Sequence, residues 1–328
     1  YICALLFIYI FILITGFHDE GNLIATVIFS KSLTPKVAFV IACISQFAGT
    51  VIIGNKVAKT MAFGIIKTKY IIGNDICLIV LSGILGAIIW NMITWHYSIP
   101  SSSSHAIVGG IIGPFVISFG FKSVNLYPVI VSVLMPLFLS PLLGYIIGFV
   151  MMRLTNFIFE GFSTKINKSL KNIHVVTMAL MNMAQGSNDA QKGIGVILIL
   201  LISRSKNINA CIPFSVKLIS GILISAGLML GGFKMIKAVG TKVYKVKPMH
   251  SFNAQLSSLL IIFTASKMGA PISGTQVVNS TIVGVGAAER PNAVGWQYAK
   301  NMVMGWIITI PSSFLLSSLV YLVLKKLV

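Results

Sequence analysis

Ile99-Pro-Ser-Ser-Ser-Ser-His105 and Ala270-Pro-Ile-Ser-Gly-Thr-Gln276 are polar segments set into long apolar runs. Placing Pro100 over Pro271, 171 residues on, also brings Ser102 over Ser273, Ser104 over Thr275 and His105 over Gln276. Gly113 and Gly284 follow at the same distance. A second pair of interruptions, Gly16-Phe-His-Asp-Glu-Gly-Asn22 and Gln185-Gly-Ser-Asn-Asp-Ala-Gln-Lys192, aligns Asp19 with Asp189 at an offset of 170. Two unrelated motif pairs with offsets one residue apart mark an internal duplication, with halves at residues 1–165 and 166–328. Gly, Pro and hydroxyl residues at membrane depth predict broken or re-entrant helices, whose freed backbone groups line a protein cavity.

The surrounding composition supports a membrane setting. Of 328 residues, 9% are charged and 56% hydrophobic, and the formal net charge is +19. Mean hydropathy is +0.94. A soluble domain carries about 25% charged residues, and disorder needs low hydrophobicity, so both are excluded. The basic residues lie in short groups between apolar runs (Lys56 to Lys69, Arg153 to Lys171, Lys234 to Lys247). That pattern suits loops of a membrane protein rather than a nucleic-acid surface. The runs are uniformly apolar and exceed the roughly ten alternating residues of a barrel strand. The expected fold is all-α and polytopic. At about 20 residues per span, it has room for roughly ten to twelve membrane-inserted segments. Broken segments at corresponding places in two halves point to a transporter site near the midplane.

Six acidic residues make position informative. Asp75, Glu160 and Glu289 lie near loops or helix starts, where capping or solvation explains them. Asp19, Glu20 and Asp189 fall inside broken apolar segments, where a carboxylate costs about 2.5–3.5 kcal/mol. Asp19 and Asp189 are read as functional, against the plainer reading of structural ion pairs. For Glu20, matched to Ala190, the two readings balance. On a helix, Asp19 and Asn22 share a face and offer oxygens to a hard cation such as Na⁺. The matching pair is Asp189 and Lys192, where the ammonium is placed to stand in for a cation; the plain alternative is a lysine that snorkels to water.

The Ser-rich segments suit an anion. Hydroxyls and backbone N–H groups at a half-helix start, with the positive end of its dipole, hold phosphate or sulfate. Pro100 and Pro271 are placed to open such half-helices. Serines that merely cement helix packing are the simpler reading, and the matched pair of clusters weighs against it. Gln276 opposite His105 favours hydrogen bonding over a metal ligand. An intramembrane hydrolase built on Ser104, His105 and Asp19 lacks a G-x-S-x-G elbow and has no second histidine across the duplication. No Walker A sequence is present, so ATP does not drive this chain. Cys3, Cys43, Cys77 and Cys211 are isolated and read as small core residues. The chain starts at Tyr1 rather than Met, and no signal peptide is read from that end.

These segments resemble the inorganic phosphate transporter (PiT) family of secondary transporters. Its first signature is similar to Gly16, Phe17, His18, Asp19, Gly21 and Asn22, its second copy to Gly186-Ser-Asn-Asp-Ala-Gln-Lys-Gly193 as in bacterial low-affinity members. The Pro100 to His105 element resembles a third motif, and Pro271 to Gln276 a looser fourth. The resemblance implies an inverted-repeat fold, a multi-pass protein of the bacterial inner membrane, cation-coupled phosphate uptake and a homodimer. By position it makes Asp19, Asn22, Asn188 and Asp189 coupling residues for Na⁺ or H⁺, with Na⁺ at Asp19, Asn22 and Asp189. It makes Ser102, Ser103, Ser104, Ser273, Gly274 and Thr275 the phosphate site. No cofactor is implied. The chain departs from the pattern at Gly274, Gln276 and Lys192. The glycine allows closer backbone approach, and the lysine leaves proton coupling open. A sulfate or other oxyanion permease and a passive anion channel are the competing readings. One tension concerns orientation: an inverted repeat places Lys56–Lys69 and Lys234–Lys247 on opposite sides, whereas positive residues favour the cytoplasm.

Overall fold

Each long apolar run forms helix, because in lipid every backbone N–H and C=O must find its partner within the segment. The computed structural model describes the chain except residues 73–75, 98, 100, 159–165, 209–210, 243, 245 and 328. For helical residues 22, 166–172 and 232–242 it describes the backbone only. Asp75, Pro100 and Glu160 therefore lie outside the described residues, as does the side chain of Asn22. In chain order the helices are α1 (Ile2–Asp19), α2 (Gly21–Phe29), α3 (Pro35–Ile52), α4 (Lys56–Gly64), α5 (Cys77–His96) and α6 (Ser103–Phe119). There follow α7 (Leu126–Pro128), α8 (Met135–Ile158), α9 (Ile166–Ser205), α10 (Phe214–Lys242), α11 (Pro248–Met268), α12 (Gly274–Glu289) and α13 (Trp296–Leu327). A π-helical turn, Val129–Leu134, joins α7 to α8. Among the described residues the only β pairing is an isolated bridge between Ile66 and Val124.

Among the described residues, six segments are long and apolar enough to cross a membrane: Ile2–Phe29, Pro35–Ile52, Cys77–His96, Leu126–Ile158, Phe214–Gly231 and Trp296–Leu327. That is fewer than the ten to twelve inserted segments expected, for a physical reason. Helix α6 is short at 17 residues. Helices α9 and α11 carry buried polar side chains, among them Asn188, Lys192, Asn253 and Gln255, which face other helices rather than lipid. Lipid-facing positions are the apolar ones: Ile2, Phe157 and Leu327 are each more than three-quarters exposed. Cys3 and Cys211 are exposed too, correcting their core assignment: for Cys3 an apolar run does not distinguish a core face from a lipid face, and Cys211 lies in the connection between α9 and α10. The basic stretches also differ from simple loops. Lys56 opens α4, Arg153 lies within α8, and α10 runs on to Lys242; cations near a helix C-terminus complement its dipole.

The interruptions divide into two kinds. The Pro-Ser segments do break the helices. Gly269 closes α11 at φ 80° in the left-handed region, which glycine adopts without steric cost, and α12 starts only at Gly274. The segment from Gln185 to Lys192 does not break, and α9 is continuous over 40 residues. The first interruption is small: α1 and α2 part only at Glu20, whose own backbone stays right-handed helical.

Helices meet at glycines. A Cβ on Gly113 of α6 would lie 2.5 Å from the Phe314 carbonyl oxygen of α13. Its counterpart Gly284 of α12 comes as near the Tyr145 carbonyl oxygen of α8, at 2.1 Å. Each half thus lends its short helix to a long helix of the other, so the halves interlock. The crossing of α3 and α9 is tighter, with a Cβ on Gly49 at 1.9 Å from the Met183 carbonyl oxygen. Small residues permit such approach where no hydrophobic effect drives association. Gly49→Ala is expected to lower the melting temperature of the solubilised protein clearly, through overpacking that costs about 1–3 kcal/mol. Gly54→Ala, with nothing within 4 Å, is the control, and equal melting of the two variants contradicts this packing. At the far end of α12, Glu289 pairs with Lys247 at 3.2 Å and with His250. Burial raises the Glu289 carboxyl, but His250 and Lys247 outweigh it and hold it below the usual carboxylate range.

Candidate functional site

The starts of α6 and α12 come together in the interior. Ser102 is the N-cap of α6, accepting from the His105 N–H at 3.4 Å, and Ser273 occupies the same place before α12. The Ser104 hydroxyl donates to the Ile272 carbonyl at 3.1 Å, and Gln276 Nε2 meets His105 Nδ1 at 3.3 Å. Two positively polarised helix ends therefore converge on one small volume. The Ser273 Oγ and Thr275 Oγ1 atoms are buried and have no hydrogen-bond partner among the described residues.

The two aspartates border this junction. Asp19 meets His18 Nδ1 at 2.7 Å and accepts from the Ser103 hydroxyl. Asp189 accepts from Lys192 Nζ on one oxygen and from Gln185 Nε2 on the other. The Lys192 ammonium also donates to Ser104 Oγ and, at 2.6 Å, to the Ile272 carbonyl. Asp19, Asp189, Lys192 and the Ser102–Ser104 hydroxyls are at most 3% exposed. Charges so buried need partners, since an unpaired one costs several kcal/mol. The snorkelling alternative for Lys192 is thereby removed, because its nitrogen turns inward.

Of the predicted residues, Asp19, Asp189, Lys192, Ser103, Ser104, Ser273 and Thr275 are gathered at this junction. Asn188 is used differently. Its Nδ2 donates to Ser266 Oγ at 3.0 Å and the Ala270 carbonyl at 3.2 Å, and its Oδ1 accepts from Ile272 N–H at 3.3 Å. It fastens the extended segment that precedes α12. Gly274 also has a role other than backbone approach alone. A Cβ there would lie 2.1 Å from the Gln185 carboxamide. In the first half the aligned residue Ser103 donates to Asp19; in the second, glycine makes room for Gln185 to donate to Asp189.

The sequence model of the phosphate transporter family matches residues 15–317. The chain belongs to the phosphate transporter family. It is 38% identical over 326 residues to the "Probable low-affinity inorganic phosphate transporter" of Bacillus subtilis (strain 168), covering 99% of this chain and 96% of that one. A protein of the same description from Rhizobium meliloti (strain 1021) is 32% identical, covering 94% and 91%. The structure described as "The sodium-dependent phosphate transporter" superimposes with a TM-score of 0.91 at 24% identity, over 100% of this chain and 99% of that one. This last likeness is one of fold. The family member is thus a multi-pass integral membrane transporter and not an enzyme.

Two side chains of this phosphate transporter family member, Gln46 and Gln191, escaped the sequence reading. Gln46 Nε2 donates at 2.7 Å to Glu20, whose two readings balance in the sequence; Glu20 is fully buried and lies beside Asp189. Gln191 accepts from the N–H groups of Val57 and Ala58 at 3.0 and 3.3 Å, satisfying two donors that every helix start leaves open. A signal for both existed. Gln46 interrupts an otherwise apolar run, and Gln191 lies inside the second polar segment.

Proposed function

We propose that the chain is a secondary active symporter that takes up inorganic phosphate with a cation, working as a homodimer of inverted-repeat subunits. The observation that carries this reading is the meeting of the α6 and α12 starts with two unpartnered hydroxyls, Ser273 Oγ and Thr275 Oγ1. Membership of the family supports phosphate as the anion. A tetrahedral oxyanion takes donors from several directions, and the N–H groups of two helix starts and the Ser273 and Thr275 hydroxyls supply them here.

Charge balance supports coupling. Asp189 is offset by Lys192, whereas Asp19 has His18 and Ser103 as partners. Adding an anion beside the other buried carboxylates, Asp19 and Glu20, would leave net negative charge in a low dielectric. A cation that enters with the anion, Na⁺ or H⁺ at Asp19, removes that penalty, and the filled site is then free to reorient between the two sides.

Proteoliposomes under imposed Na⁺ and H⁺ gradients test the proposal. Labelled phosphate should accumulate under at least one gradient, and excess sulfate should compete poorly. Flux without accumulation marks a channel, and equal competition by sulfate marks an oxyanion permease. The double variant Ser273→Ala/Thr275→Val should raise KM for phosphate about 10–100-fold, the loss of hydrogen bonds to a charged group. An unchanged KM contradicts the assigned site.

A further inference from the structure

We propose that the Lys192 ammonium occupies the place of a coupling cation, so that this chain carries one of its cations as part of its own sequence. The inference rests on the cation-coupled reading above and adds the number of free cations involved. Lys192 is 1% exposed, and its three N–H donors meet three oxygens: a carboxylate of Asp189, the hydroxyl of Ser104 and the carbonyl of Ile272. Carboxylate, hydroxyl and main-chain carbonyl oxygens are what a hard cation takes as ligands. They come from three elements, α9, α6 and the segment before α12, as ligands around an ion do. The duplication supplies the second argument. Lys192 aligns with Asn22, a neutral residue type where the second half carries a charge.

The consequence is unequal halves. Asp189 keeps Lys192 as its counter-charge whether or not an ion is bound, so a mobile cation serves the other buried carboxylates, Asp19 and Glu20. A tethered ammonium does not cross the membrane, so each transported anion carries one cation fewer than in a site pair without a lysine. The same ammonium ties the α6 start to the segment before α12, keeping both anion-binding ends in register.

The test counts Na⁺. Purified full-length protein in detergent is dialysed against radiolabelled Na⁺ with phosphate present, for wild type and for Lys192→Asn. Wild type should bind at most one Na⁺ per chain, and Lys192→Asn one more than wild type. Na⁺, against choline, should also raise the melting temperature of Lys192→Asn more than that of wild type. Two Na⁺ per wild-type chain, or no additional Na⁺ in the asparagine variant, overturns the inference. Should Lys192→Asn not give monodisperse protein, Lys192→Gln replaces it, and the wild-type count still decides against the inference if it reaches two. Phosphate counterflow by wild type, measured on the same preparation, separates the two readings. Its absence removes the phosphate assignment while the Na⁺ count judges the lysine.

Discussion

Asp19→Asn is expected to reduce gradient-driven phosphate accumulation at least about 100-fold while leaving a folded, monodisperse protein. The substitution keeps the size of the side chain and removes its charge. Removing one partner from a buried charged interaction costs about 3–5 kcal/mol, and each 1.4 kcal/mol is tenfold. Two effects add. The coupled cation loses the carboxylate that holds it, and the new carboxamide has one acceptor oxygen where Asp19 meets both His18 and Ser103. The measurement is uptake into proteoliposomes at matched protein density. Accumulation within about twofold of wild type would remove Asp19 from the coupling role.

Asp189→Asn should act mainly on stability. It leaves the Lys192 ammonium buried against a neutral amide, with the hydroxyl of Ser104 and the carbonyl of Ile272 as its remaining acceptors. An uncompensated buried charge of this kind costs about 3–5 kcal/mol, a large share of the stability of an ordinary domain. A marked fall in melting temperature is expected, compared at one heating rate because unfolding from detergent is seldom reversible. The double variant Asp189→Asn/Lys192→Met removes the unpaired charge and should recover much of that loss. Such non-additivity is the signature of a direct pair. Equal melting of Asp189→Asn and wild type, or additive losses in the double variant, would show that the pair contributes little.

Much of this arrangement was legible in the sequence. Few charges among long apolar runs identified the membrane, and offsets one residue apart linked two aspartates and two Pro-Ser segments. Ser102 and Ser273 stand at helix starts as that pattern implies, and Lys192 lies against Asp189 as its i, i+3 spacing allows. What failed has physical reasons. Polar residues from Gln185 to Lys192 read as a break, yet a helix satisfies its own backbone and needs partners only for side chains. Those partners, Val57, Ser104, Ser266 and Ile272, come from distant segments that no local pattern connects. The exchange of Ser103 for Gln185 opposite Gly274 is of the same kind, because it depends on how closely α9 approaches the start of α12. Asn188 shares its motif with Asp189 but points to the segment before α12, a difference of direction invisible in one dimension.

The central claim is that the anion lies between the two Ser-rich helix starts. Anomalous scattering from arsenate, a phosphate mimic, in crystals of the full-length protein tests it most directly. The expected result is one arsenic peak per chain within hydrogen-bonding reach of Ser273 Oγ and Thr275 Oγ1, beside the start of α6. A peak confined to exposed lysines such as Lys56 or Lys267, with the junction unlabelled, would contradict it.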